Sequence, residues 1–427
     1  MLDIKLLRKN TSLCEALLKR KDPNITLSPI ITLDKDIRSC KTLIESWISE
    51  KKKLSQELYL NKKIPTSQQQ ELEKKIVKLS EKIEEKNLLL KNLSSNLQEL
   101  MSQLPNFPEE DVPISLNKSD NVVIKTFGSK PNFNFLPKNH LELNQIHHLF
   151  DFVATAKTTG SGWPIYTGIG AQLEWALLSF MIEKQIQHGF NFCLPPVLVK
   201  KEILYGSGQI PKFNGQFYEV LDNPENLYLI PTAEVILNGL HHNQILYEKD
   251  FPFQYAAFSP CFRKEAGAAG AQERGLVRMH QFHKIEMFAF TTTSEQEELM
   301  FSKMLLVAQD ILTSLELHHQ LSLLTTGDMS FSATKTIDIE VWLPGQNRYY
   351  EVSSISKCSD FQSRRSNIRY RDEKTKEIHY VKTLNGSGLA TPRLMVALIE
   401  NNQQEDGTIT IPKVLQKYFP HSKLTVK

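Results

Sequence analysis

At 427 residues the chain exceeds one ordinary core and suits a large domain plus a smaller module. With 41% hydrophobic and 23% charged residues it is no disordered chain, and 51 Lys and Arg against 48 Asp and Glu leave a net charge of +3, too small by itself to mark a nucleic-acid binder. Five scattered cysteines without a CxxC pair exclude a disulfide framework and a zinc knuckle, and no run approaches the ~20 apolar residues of a membrane span, so a soluble, cytoplasmic protein is expected.

The first long element is an apolar ladder, Leu33, Ile37, Cys40, Ile44, Trp47, Leu54 and Leu58, spaced as a heptad seam with one break at Lys51. A second ladder follows a polar stretch: Leu72, Ile76, Leu79, Ile83, Leu90, Leu93, Leu97, Leu100 and Leu104, broken at Lys86. With a turn near Pro65, Leu58 faces Leu72, Trp47 faces Ile83 and Ile37 faces Leu93, and each Lys break falls where its methylene stem can cover an apolar neighbour. This predicts an antiparallel helical hairpin over about residues 30–104, and since Leu33 to Leu58 alone spans about 38 Å at about 1.5 Å per residue, an arm rather than part of a globule. Lysines line it at 51, 52, 53, 62, 63, 74, 75, 78, 82, 86 and 91. Interleaved glutamates make a solvated coiled-coil exterior a sufficient account of that charge, and phosphate binding needs independent support.

Leu104-Pro105-Asn106-Phe107-Pro108 ends the second ladder, which places the domain boundary at 105/106 and a linker over about 105–131. Beyond it, short apolar runs alternate with Gly, Pro and Asn, and helices are predicted at Gln172–His188, Ser294–Leu317 and Arg393–Asn401. The pattern is α+β with a mostly antiparallel sheet over 106–427. Neither a Walker-type nor a dinucleotide-binding glycine motif occurs between a strand and a helix, so any nucleotide is bound another way.

Three segments of this second part carry candidate chemistry. Arg263 and Glu265, two apart, would share one face of a strand that leads into the small-residue loop Ala266–Ala271. Arg278, His280, Phe282, Lys284, Glu286 and Phe288 would line one face of the return strand, offering a cation to a phosphate, a ring to a purine and a carboxylate to an ammonium or hydroxyl. A strand with its charges in water and its Phe in the core fits the same alternation. Asn385-Gly386-Ser387-Gly388 precedes Thr391-Pro392-Arg393, where Thr391 as N-cap and Pro392 at the first helical position would set Arg393 beside a helix terminus favourable to anions.

In this order these segments resemble the signature motifs of class II aminoacyl-tRNA synthetases, and the resemblance narrows to the bacterial-type seryl-tRNA synthetases. It is carried by Pro231-Thr232-Ala233-Glu234, Cys261-Phe262-Arg263-Lys264-Glu265-Ala266-Gly267, Arg274-Gly275-Leu276-Val277-Arg278-Met279-His280-Gln281-Phe282 and Thr383-Leu384-Asn385-Gly386-Ser387-Gly388. Gly206-Ser207-Gly208-Gln209, Thr326-Gly327-Asp328-Met329, Asp338-Ile339-Glu340-Val341-Trp342 and Glu351-Val352-Ser353-Ser354 support it, and it covers essentially the whole chain. The resemblance implies a class II catalytic sheet flanked by helices behind a tRNA-binding arm (1–105), and a homodimer joined around Gly189 and Pro195-Pro196. It implies ATP-dependent activation of L-serine to seryl-adenylate and its transfer to tRNA(Ser), with charging of tRNA(Sec) left open.

The same resemblance implies the site. ATP would meet Arg263, Lys264, Glu265, Arg278, Phe282, Glu351, Val352, Ser353, Ser354 and Arg393, with Arg263 and Arg393 as the catalytic cations. Serine would meet Thr232, Ala233, Glu234, Arg263, Glu286, Asn385 and Ser387. Glu351 and Ser354 would hold Mg²⁺ with the ATP, and no zinc is expected. Three stretches depart from the family pattern: Gly160-Ser161-Gly162-Trp163-Pro164, Ser330 after Gly327-Asp328-Met329, and Ile355-Ser356-Lys357-Cys358. None removes a residue assigned to chemistry. A synthetase paralogue that loads a carrier protein would typically lack the long arm, and a non-catalytic scaffold would have little reason to keep Arg263, Glu286, Glu351 and Arg393 together.

Overall fold

The computed structural model describes residues 1–60, 65–221, 225–265 and 275–426. Lys62 and Lys63 of the arm, and the loop 266–274 with Ala266, Gly267 and Arg274, lie outside the described residues. The chain divides into two compact units, Leu2–Leu104 and Pro105–Lys427, Met1 grouping with the second.

The first unit holds two short helices, α1 (Ile4–Lys9) and α2 (Thr11–Lys19), and two long ones, α3 (Ser28–Leu60) and α4 (Thr66–Ser102), with Pro65 as the N-cap of α4. The two ladders meet along α3 and α4. Ile37, Cys40, Ile44, Leu72 and Leu79 are buried, and Trp47, Leu54, Leu58, Ile76, Ile83, Leu90, Leu93, Leu97 and Leu100 are half-buried. Both break lysines, Lys51 and Lys86, are half-buried too, as stems lying along the seam would be. Lys82 Nζ lies 5.9 Å from the centre of the Trp47 ring, across the seam. Where α1 packs on α3 the seam is partly ionic: buried Asp34 accepts from Arg38 Nε at 3.0 Å and pairs with Arg8 at 3.5 Å.

The second unit is built on an eight-stranded sheet. In chain order its strands are β1 (Val122–Phe127), β2 (Asn191–Cys193), β3 (Phe253–Phe262), β4 (Gln281–Thr291), β5 (His319–Leu323), β6 (Lys335–Leu343), β7 (Arg348–Ser359) and β8 (Lys382–Ala390). Their spatial order is β1-β5-β6-β7-β8-β4-β3-β2, antiparallel throughout except for β2 on β3. The α+β class and the mostly antiparallel sheet are as the sequence indicated. The stretch 105–131, however, is no linker. Buried Asn106 donates to the carbonyls of Ser332 (2.9 Å) and Cys358 (2.8 Å), and β1 forms an edge of the sheet, so the segment is woven into the second unit.

Helices α5 (Gly168–Gln187), α6 (Ser294–Ser314) and α7 (Thr391–Asn401) pack on one face of this sheet. On α6, Met300, Met304, Val307, Ala308 and Ile311 recur at helical spacing and are buried against the sheet. Strand alternation then sorts β4: Ile285, Met287 and Ala289 join that core, while Phe282, Lys284 and Glu286 are left for the opposite face. That opposite face is the floor of the site.

Candidate active site

Two cavities open side by side on this floor. One, of about 230 Å³, is lined by Arg263, Glu265, Leu276, Val277, Arg278, Met279, Phe282, Lys284, Glu351, Val352, Ser387, Ala390, Pro392 and Arg393. The other, of about 370 Å³, is lined among others by Gln209, Phe213, Gln216, Phe217, Thr232, Glu234, Glu286, Phe331, Ser354, Asn385 and Ser387. Arg263, Glu265, Lys284, Glu351 and Ser387 line both and form the wall between them.

The first cavity collects cations. Arg393, at the start of α7, donates from Nη1 to the Glu351 carbonyl at 2.9 Å and approaches the Glu351 carboxylate at 3.3 Å. Burial opposes the charge on Glu351, but Arg393, Lys118 and Arg263 outweigh it and hold the carboxyl below its usual range. Arg278 meets Glu265 at 3.5 Å, and the Arg263 guanidinium lies 5.0 Å from the centre of the Phe282 ring. Arg263 also donates from Nε to the Pro231 carbonyl at 3.3 Å.

The second cavity collects oxygens. Thr232 donates from its hydroxyl to Glu286 Oε2 at 3.1 Å, and Lys284 Nζ donates to Thr232 Oγ1 at 2.8 Å while pairing with Glu286. Glu234, behind them, accepts from Gln362 Nε2 at 2.7 Å. Burial, then the charge of Glu286, push the Glu234 carboxyl up to about 7. Glu286 stands opposite Ser387 across the β4–β8 ladder, which sets that serine beside it on the same face.

Several local expectations are corrected. Arg263 and Glu265 do not share a strand face: β3 ends at Phe262, and Glu265 has a left-handed φ of 42°, yet both still line the cavities. Thr391 is not the N-cap of α7. Ala390 is, and the Thr391 hydroxyl instead donates to the buried carboxylate of Glu174, which also meets His283 Nδ1 at 3.0 Å. Lys264, Ala233 and Ser353 line neither cavity: Lys264 lies over the Tyr218 ring, Ala233 is in the core, and Ser353 donates to the Ser387 carbonyl at 2.6 Å. The departure at Gly162-Trp163-Pro164 has a structural outcome: the Trp163 ring lies 5.3 Å from that of His280 and the Gly162 carbonyl accepts from the His280 amide at 3.0 Å, bracing the chain just before β4.

Glu351 and Ser354 reach the cavities together for a reason that spacing alone would deny. Three residues apart on a regular strand they would face opposite sides. A β-bulge shifts the β6–β7 register between Ile339 and Glu340, so that Glu340 opposes Glu351 while Asp338 opposes Ser354, and the two come to one face. Their carboxylate and hydroxyl oxygens are donors of the kind that suit a hard divalent cation, and Oδ1 of Asp338, buried opposite Ser354, has no hydrogen-bond partner among the described residues. Among the described residues no group of three or more His, Cys, Asp or Glu is arranged to hold a metal ion. Lys284 is the charged residue of the two linings to which sequence reading gave no role, although its alternation with Phe282 and Glu286 already placed it on the right face.

Residues 1–108 match the family model for the seryl-tRNA synthetase N-terminal domain, and residues 217–402 that for the class II tRNA synthetase core domain (G, H, P, S and T). The chain is 57% identical over 424 residues to the serine–tRNA ligase of Chlamydia felis, covering 99% of both chains. The chain belongs to the seryl-tRNA synthetases. It is also 57% identical to the serine–tRNA ligase of Chlamydia pneumoniae, covering 98% of this chain and 97% of that one. Among solved structures it resembles a seryl-tRNA synthetase of Pyrococcus horikoshii complexed with ATP, with 34% identity, a TM-score of 0.94 and 100% of both chains covered. The family thus accounts for the hairpin and the sheet as well as for the motifs.

Proposed function

We propose that the two cavities bind ATP and L-serine side by side and join them to seryl-adenylate, and that the chain then transfers serine to tRNA(Ser). The observation that carries this reading is the shared wall: Arg263 lies where a carboxylate held in the larger cavity would meet the α-phosphate of a nucleotide held in the smaller one. A serine carboxylate oxygen attacks the α-phosphorus in line, the bond to the β-phosphate oxygen breaks, and pyrophosphate leaves. No protein nucleophile is needed, so catalysis is positioning and charge stabilisation.

Arg263 bridges the two reacting groups, Arg278 and Arg393 hold the outer phosphates, Phe282 stacks on adenine and Glu265 orients the base. Thr232, Glu234 and Glu286 take the ammonium and side-chain hydroxyl of serine, with Asn385 and Ser387 closing the pocket. A site that hydrogen-bonds the hydroxyl rejects alanine, whose binding would leave those groups unpaired. Glu351 and Ser354 would hold Mg²⁺, which when bound supplies charge neutralisation to the phosphates. Residues 2–104 hold the RNA through lysine–phosphate contacts, by shape more than by base reading. Exposed Trp175, Ile186 and Leu194, on α5 and just beyond β2, support a homodimer joined near Gly189 and Pro195-Pro196. Among the described residues no helix is long and apolar enough to cross a membrane, which agrees with a cytoplasmic site of action.

Serine-dependent ATP–pyrophosphate exchange, with and without tRNA, tests the reading. Exchange with serine but not alanine, followed by charging of tRNA(Ser), is the expected result. Charging of tRNA(Sec) is measured in the same assay. Absence of exchange by the folded protein overturns the assignment.

A further inference from the structure

Lys284 is 6% exposed and lines both cavities. Its ammonium rests on Thr232 Oγ1 at 2.8 Å and on the Glu286 carboxylate, and Thr232 closes the triangle by donating to Glu286 Oε2 at 3.1 Å. On the reading above, on which this inference rests, Thr232 and Glu286 also receive the ammonium and hydroxyl of serine. One carboxylate therefore has two cationic claimants. At a carboxylate as buried as Glu286, 2% exposed, a second ammonium arriving beside Lys284 repels the first.

The neighbouring carboxylate attracts Lys284 less: Glu234 Oε1 accepts from Gln362 at 2.7 Å, and burial and Glu286 push the group toward its neutral form. The other direction is the shared wall, where Arg263, Glu351 and Ser387 also border both cavities. There the serine carboxylate meets the α-phosphate, and two anions attract a freed cation. Lysine suits such a move: its charge is compact, its stem has four carbons, and its three donors rotate.

We propose that Lys284 is a displaceable cation that couples the two substrates. Serine's ammonium takes over Glu286 and Thr232, and Lys284 Nζ moves to the shared wall. There its ammonium adds positive charge beside the attacked phosphorus. Serine binding thereby strengthens ATP binding, and reciprocally.

The test uses serinol, which carries serine's ammonium and hydroxyl but has no carboxylate and cannot react. ATP binding with Mg²⁺ is measured calorimetrically on the full-length protein with and without serinol. In the wild type serinol raises ATP affinity about fivefold or more. In Lys284→Met serinol alone binds at least as tightly as in the wild type, because its competitor is gone, while ATP affinity no longer responds to it. The kcat of serine-dependent exchange falls without a rise in the KM for serine, and Lys284→Arg restores part of that kcat. Lys284→Gln, which keeps a hydrogen bond to Thr232 without the charge, replaces the Met variant if thermal unfolding shows the latter unfolded. Parallel loss of serinol binding and kcat would mean that Lys284 only frames Thr232 and Glu286, and the proposal falls. It falls equally if wild-type ATP affinity ignores serinol. Wild-type exchange with serine separates the levels: exchange without a serinol effect overturns the coupling alone, and no exchange overturns the reading beneath it as well.

Discussion

The helical hairpin and the catalytic sheet solve the burial problem at different ranges. Along α3 and α4 each turn is stabilised by a residue a few positions away and by one partner helix, so a seven-residue repeat is enough to specify the packing. On the sheet the residues that work together come from distant segments: Thr232 from the loop before a short helix, Lys284 and Glu286 from β4, Glu351 from β7, Ser387 from β8 and Arg393 from α7. Local order can survive local damage. A converged site cannot, since one misplaced strand moves a reacting group.

The sharpest way to break this comparison is at the shared wall. Arg263→Ala should lower serine-dependent pyrophosphate exchange on the order of a thousandfold with the fold intact, because it removes a fixed cation from the point where charge develops. Near-normal exchange by the folded variant would place the reaction elsewhere.

Removing the other region should leave the site nearly untouched. Deletion of Asp34 to Leu100, closed by a short flexible linker, should preserve serine activation and reduce transfer to tRNA on the order of a hundredfold, with the intact protein's charging weakening in salt more steeply than its exchange. Unchanged charging by the deletion variant would return the lysines to the role of a solvated face.

A smaller effect sharpens the electrostatic side. Glu234 is lifted from 4.5 to about 7 by burial and by Glu286, so it holds its proton through mild acid, whereas an arriving ammonium favours the ionised form. The KM for serine should therefore rise about tenfold per pH unit below that value and level off above it, a dependence that Glu234→Gln abolishes. The sign for folding follows from the same shift: between pH 4.5 and about 7 the unfolded chain ionises this group before the native one does, so stability declines across that window. Thermal melts of the Gln variant against the wild type should show its advantage growing over that range. A KM flat from pH 5 to 8 would remove Glu234 from serine recognition.

The smallest expected effect lies in the hairpin. Lys86→Leu completes the α4 ladder at a half-buried position and should stabilise the helical unit by about 1 kcal/mol in denaturant unfolding followed by far-UV circular dichroism, without changing exchange. A loss of stability would show that the lysine stem already fills the seam better than leucine can.

By itself the sequence determined the elements whose information is local. Ladder spacing was enough for the hairpin, with both lysine breaks tucked against the seam, and period-two alternation was enough to put Phe282, Lys284 and Glu286 on one face. The tertiary structure alone decided the rest. Alternation assigns Glu351 and Ser354 to opposite faces, and only pairing with β6 introduces the bulge that reunites them. Capping rules assign Thr391 to the end of α7, and only the approach of Glu174 from α5 gives its hydroxyl a better partner. The stretch after Pro105 reads as a linker because the acceptors of Asn106 lie more than 200 residues away in sequence. A strand's own sequence fixes its two faces, but register, bulges and buried hydrogen bonds depend on partners far along the chain, and it is those partners that turn separate motifs into one site.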